Sequence, residues 1–177
     1  MKKAIFILLF FVFAKAYAQK EVFIPTEFST DAALSTWSYA RSAQSANFIL
    51  FWGPVVGTDP SVYTNPDLRF TPSVVLDTLE KIYKKYIKEI HFCSDAPGTN
   101  LGKYKLIIVM NETWPAGGPT GWAFGGSYDN TIGAMWVHPN ATRDGGVTSH
   151  ELTHSLQGQN NIDRNKAGGF NFESGGF

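Results

Sequence analysis

The chain has 177 residues, with 15 basic and 15 acidic side chains and a formal net charge of zero. That balance gives no electrostatic footprint for nucleic acid or for an anionic membrane surface, and both are excluded as expected partners. A single cysteine, Cys93, excludes an internal disulfide, so packing, together with any bound metal, has to supply the stability.

Lys2 and Lys3 precede an apolar run from Ala4 to Ala14, and Ala16-Tyr17-Ala18 then forms the small-x-small pattern of a cleavage site. This predicts a signal peptide over residues 1–18 and a secreted or periplasmic protein. The run is too short to span a bilayer, and no second hydrophobic stretch predicts a membrane anchor in the mature form. Gln19, not Cys, follows the expected cut, which argues against lipid attachment. Loss of Lys2, Lys3 and Lys15 leaves 12 basic against 15 acidic residues, a net of −3, in a single domain over 19–177.

Gln19 to about Ala43 is polar and aperiodic, with room for one short strand. Ala46 to Trp52 is dense in β-formers and stops at Gly53-Pro54, a strand and a turn. Asp59-Pro60 and Asn65-Pro66 mark a loop from Gly57 to Arg69. Thr71 can cap a helix and Pro72 suits its first position. Val75, Leu76, Leu79, Ile82, Tyr83, Tyr86, Ile87 and Ile90 then recur at helical spacing, predicting one long helix to Ile90. Lys81, Lys84, Lys85 and Lys88 fall mainly off that stripe and read as its solvated face. Cys93 reads as a small buried hydrophobe.

Lys103 to Met110 has a continuous apolar core and is expected to be a central strand. Trp114 to Tyr128 is rich in Gly and Trp and reads as loop and hairpin. Ile132 to Val137 is a short strand stopped by His138-Pro139, and Asp144-Gly145-Gly146 breaks the chain before a helix from Val147 to about Gln157. The order strand, helix, strand, strand, helix predicts an α+β domain. Its small mixed sheet would carry the long helix and the second helix on one face.

The second helix holds His150-Glu151-Leu152-Thr153-His154, the HExxH pattern. Residues at i and i+4 share a helix face about 5–6 Å apart at Cβ. Two imidazoles so placed can converge on one zinc, and Glu151, one step round, can accept a proton from a water the zinc has acidified. The pattern arises by chance in roughly one chain in a few hundred of this length. Thr148-Ser149-His150-Glu151 also has the spacing of a capping box, in which Glu151 would serve the helix start instead.

Val147 to Leu156 resembles the active-site helix of the zincin metallopeptidases. Val147 three residues before the first His, uncharged neighbours, and Leu156 two residues after the second His all match that pattern. The resemblance implies a zinc-dependent hydrolase, a protein or peptide substrate (glycosylated or not), and the N-terminal subdomain of the zincin fold. Metzincins continue with Gly and His where this chain has Gln157 and Asn160, so that branch is excluded. Gluzincins take a downstream Glu, and Glu173, separated from His154 by 18 residues, is the candidate third ligand, with Asp163 as the second choice. Gly133-Ala134-Met135 begins like the aminopeptidase exopeptidase motif, but Trp136 stands where that family has Glu. Ala134, Met135 and Trp136 are instead expected on a sheet edge that binds extended substrate through its main chain. FILFWG, WAFGGSYDN and MWVHP are similar in order to segments of secreted bacterial HExxH proteins of unsettled function.

Only 23 residues follow His154, so the domain is either minimal or cut short before its oxyanion stabiliser. The alternative function is an exported glycan- or peptide-binding module built on Trp114, Trp122, Phe124, Tyr128 and Trp136, with a structural metal or none.

Overall fold

In the computed structural model, which describes residues 19–26, 28, 37–113 and 123–164, the apolar run expected to be central forms the middle strand of five. The strands are β1 (Ser42–Gln44), β2 (Phe48–Trp52), β3 (Leu106–Met110), β4 (Ala123–Tyr128) and β5 (Ile132–Val137). They lie in the order β1-β2-β3-β5-β4. β2, β3 and β5 are parallel, and β1 and β4 close the two edges as antiparallel strands. Every residue of β2 and β3 is buried, as parallel strands covered on both faces require.

Among the described residues three α-helices accompany the sheet: α1 (Pro72–Tyr83), a single turn α2 (Asn100–Lys103) and α3 (Gly145–Asp163). Strand register shows which face α1 and α3 cover. Phe48 packs edge-on to Tyr83 of α1 at 5.8 Å and is level with Leu106. A Cβ at Gly133 would meet both Leu106 and the Ser155 carbonyl of α3. Both helices therefore lie on one face, and the fold is α+β. On the other face Phe51 packs against Phe28 at 4.8 Å and Tyr39 at 5.8 Å.

α1 begins where Thr71-Pro72 predicts, but the Thr71 side chain makes no capping bond; its carbonyl receives the Val74 and Val75 N–H groups. From Lys84 to Glu89 the helix widens into π form. The extra residue per turn rotates the end of the helix, so Ile87 stays buried while Ile90, expected on the apolar stripe, is 53% exposed. His91 then takes a positive φ of 57° and reverses the chain, and Phe92 N–H bonds back to the Tyr86 carbonyl at 2.9 Å. Lys81, Lys84, Lys85 and Lys88 are exposed, as a solvated face should be.

Cys93 is buried, and that burial pushes its thiol up to about 12. At pH 8 its thiolate is therefore about a thousandfold scarcer than that of an ordinary cysteine near 9. Titration with a disulfide reagent should label Cys93 fully in urea and at least about a hundredfold more slowly in the native protein.

Candidate metal centre

The helix that carries HExxH starts earlier than the sequence suggests. Asp144 is its cap, with Oδ1 accepting from Gly146 N–H at 2.8 Å and Val147 N–H at 3.3 Å. Thr148 to Glu151 lie inside the helix, so the capping-box reading is corrected and Glu151 is released from that duty. Asp144-Gly145-Gly146 is not a break but the cap and first turn.

α3 is seated on β4 and β5 by small residues and buried polar bonds. A Cβ at Gly125 would stand 2.2 Å from the Glu151 carbonyl and 2.6 Å from the His154 Cβ, so only glycine lets β4 come this close. Ser155 Oγ donates to the Ala134 carbonyl at 2.6 Å, and Gln159 Oε1 accepts from Gly133 N–H at 2.7 Å. These contacts turn one side of the helix to the sheet; His154 flanks that side, with its Cβ against Gly125, and both histidines line the cleft beside it.

The two imidazoles stand perpendicular, their centroids 4.5 Å apart and their Nε2 atoms 3.0 Å apart. Two nitrogens on one tetrahedral zinc lie about 3.3 Å apart, so the rings are spaced to share an ion. A proton held between them gives a similar spacing; the donor chemistry is what favours a borderline metal such as zinc. His154 Nδ1 lies 3.1 Å from Gln157 Oε1. An amide oxygen only accepts, so this contact puts the ring proton on Nδ1 and leaves the Nε2 lone pair facing His150. The rings open into a cleft of about 410 Å³ whose far wall is Tyr86, from the π-helical extension of α1. Two side chains of α3 could thus fill two of the four positions around a zinc.

Glu151 points from the same turn toward β4. Burial raises its pKa, and the two imidazoles and the Gly125 N–H partly offset that effect. The carboxylate therefore stands beside the histidines while accepting from the Gly125 N–H of β4.

The remaining expected site residues fall elsewhere. Glu173 lies outside the described residues. Asp163 is at the far end of α3, where its Oδ1 accepts from Asn100 N–H at 2.6 Å and its Oδ2 from Gln159 Nε2 at 2.9 Å, so it caps α2 instead of ligating. Among the described residues no group of three His, Cys, Asp or Glu side chains converges on a point. Ala134, Met135 and Trp136 are not on a sheet edge: β5 is bonded to β3 on one side and β4 on the other. Ala134 and Met135 are fully buried, and Trp136 faces away from α3, against Phe124 at 5.7 Å and Tyr128 at 4.9 Å. The edge strand beside α3 is β4.

In the sequence Gln157 serves only to exclude one zincin branch, yet in the fold it bonds the His154 ring. Gln157→Leu should lower zinc affinity about 10- to 100-fold with little change in stability, measured by competition with a chromogenic chelator.

No curated protein and no solved structure matches the chain. Residues 14–177 match a family described as a family of unknown function (DUF6055), and the chain belongs to that family.

Proposed function

We propose that this chain is an exported zinc-dependent hydrolase that cleaves peptide bonds, with His150 and His154 as ligands, Glu173 as the third, and Glu151 as general base. The observation that carries the reading is the pair of Nε2 atoms 3.0 Å apart at the mouth of a cleft, with the Glu151 carboxylate one residue away. Zinc, when bound there, would supply a Lewis acid and an acidified water. Around it the chain's own groups divide the work. Gln157 holds the His154 ring in the tautomer that frees Nε2. Glu151 is in position to take a proton from water and return it to a leaving amine. An extended peptide would lie along the edge strand β4, in place of β5, beside the histidine-bearing helix.

Elemental analysis tests this directly. Protein purified without chelators should carry about one zinc per chain, and His154→Ala should carry almost none while keeping its helical circular dichroism. Equal, substoichiometric metal in both would end the reading.

A second reading has its own observation. Phe124 is 56% exposed and leans on Trp136 on the face opposite α3, with Gly126 between them leaving the rings uncovered. A binding module built on that pair would retain a glycan or peptide ligand after loss of both histidines.

A further inference from the structure

Among the described residues, Tyr86 is the only one lining the histidine cleft that α3 does not supply. By spacing it belongs to the apolar stripe of α1 with Ile82, Tyr83 and Ile87, yet it is half-buried and shares the cleft with His150 and His154. It stands within the π-helical stretch Lys84–Glu89. The core does not ask for that widening, which leaves Ile90 exposed. Such turns inside helices are frequent at functional sites, and here the cleft is what lies beside one. Tyr86 is also held from behind. Its carbonyl accepts from the Phe92 N–H at 2.9 Å, and its ring meets Phe92 edge-on at 5.9 Å.

Among the described residues three hydroxyls line the cleft, those of Ser149, Thr153 and Tyr86. Ser149 Oγ donates to the Gly146 carbonyl at 3.1 Å and Thr153 Oγ1 to the Ser149 carbonyl at 2.7 Å, so both are spent on their own helix. The Gly146 N–H is given to the Asp144 cap, and Gln157 stands behind the His154 ring, on its Nδ1 side. Two other tyrosines use their hydroxyls within the fold: Tyr83 Oη donates to Asp95 at 2.9 Å, and Tyr128 Oη accepts from Trp136 Nε1 at 3.1 Å. Tyr86 Oη has no hydrogen-bond partner among the described residues. A tyrosine fixed at its ring and backbone but not at its hydroxyl has a donor to give to a ligand.

We infer that Tyr86 is a catalytic residue of the hydrolase proposed above, on which this role rests, its phenol O–H donating to the carbonyl oxygen of the bond being cut. As the water oxygen bonds to the carbonyl carbon, a water proton passes to Glu151 and the C=O π pair moves onto the oxygen as negative charge. The phenol meets that charge while keeping its own proton, and the hydrogen bond strengthens as the charge develops. The donor thus comes from the helix that precedes the HExxH motif in the chain.

Anion binding tests this without turnover. Cobalt(II), loaded in place of zinc, reports on its own coordination through its visible absorption, and methylphosphonate is the probe, a tetrahedral oxyanion. Wild type, Tyr86→Phe and His154→Ala are titrated with cobalt and then with methylphosphonate. Tyr86→Phe keeps the ring that packs on Phe92. It should bind cobalt as wild type does, which also shows the site is folded, and methylphosphonate at least about tenfold more weakly. Equal methylphosphonate affinity, or no binding to wild type, overturns the role of Tyr86 and leaves the metal centre standing. Weaker cobalt binding by Tyr86→Phe overturns it too, by making the phenol a ligand. Cobalt held no more tightly by wild type than by His154→Ala overturns the hydrolase itself, and the role of Tyr86 with it.

Discussion

Gly125→Ala is expected to cost about 3 kcal/mol or more and to lower the melting temperature by about 10 °C. The added methyl would stand 2.2 Å from the Glu151 carbonyl, 2.6 Å from the His154 Cβ and 3.0 Å from the Ser155 amide nitrogen. Two of those three atoms are backbone in the middle of a helix, so no rotamer change relieves the clash. β4 and α3 have to separate by about 1 Å, which strips contact from the buried Leu152 and Leu156 beneath. A loss of that size is a large fraction of the roughly 5–15 kcal/mol a domain has in hand. Gly158, on the same helix, supplies the control. Its added Cβ would meet only the Gly126 carbonyl, at an ordinary 3.8 Å. Gly158→Ala should therefore stabilise by roughly 0.5–1 kcal/mol, the usual gain from alanine inside a helix. Urea melts of the two variants beside wild type should move in opposite directions. Equal small shifts would mean that α3 is not seated on β4 as described.

Sheet and helices were legible in the sequence wherever local pattern and burial agree. The runs at Phe48–Trp52 and Leu106–Met110 are apolar at every position, and only a strand covered on both faces is built that way. Val75, Leu76, Leu79 and Tyr83 keep a strict helical spacing and are all buried. The pattern fails where the backbone departs from its ideal period. Ile90 fits the stripe by spacing and is exposed, because the π turn at Lys84–Glu89 adds a residue that no side-chain rule announces. Strand order was equally hidden. A short run such as Ile132–Val137 reads the same on an edge or inside a sheet; its all-but-complete burial comes from β4 folding back through Asp129 and Asn130, both at positive φ. The HExxH helix shows the same division. Its histidines were legible from spacing alone, whereas its start was not, since Asp144-Gly145-Gly146 reads as a break until the Asp144 side chain is seen holding the first turn. The contact of Gln157 with His154 was hidden because such a hydrogen bond depends on a rotamer, not on a motif.

Glu151→Gln should lower kcat on a peptide substrate by about 10²- to 10⁴-fold while zinc stays at the wild-type level. The substitution keeps the volume of the side chain and an oxygen for the Gly125 N–H, and removes only the capacity to hold a proton. Stability supplies the sign that separates lost chemistry from lost structure. Burial raises the Glu151 pKa above its ordinary carboxylate value, so ionising it is harder in the folded chain than in the unfolded one. Above that ordinary value the charge therefore subtracts from stability, and the subtraction is complete once the pH exceeds the raised folded value. At neutral pH the neutral amide should leave the metal-free protein as stable as wild type or more so. A variant that is inactive, zinc-loaded and no less stable has lost its base and nothing else. If zinc falls together with activity, Glu151 is a ligand and the roles within the motif have to be exchanged. If hydrolysis persists, the proton goes to another group, and the carboxylate beside the two imidazoles serves only to balance their charge.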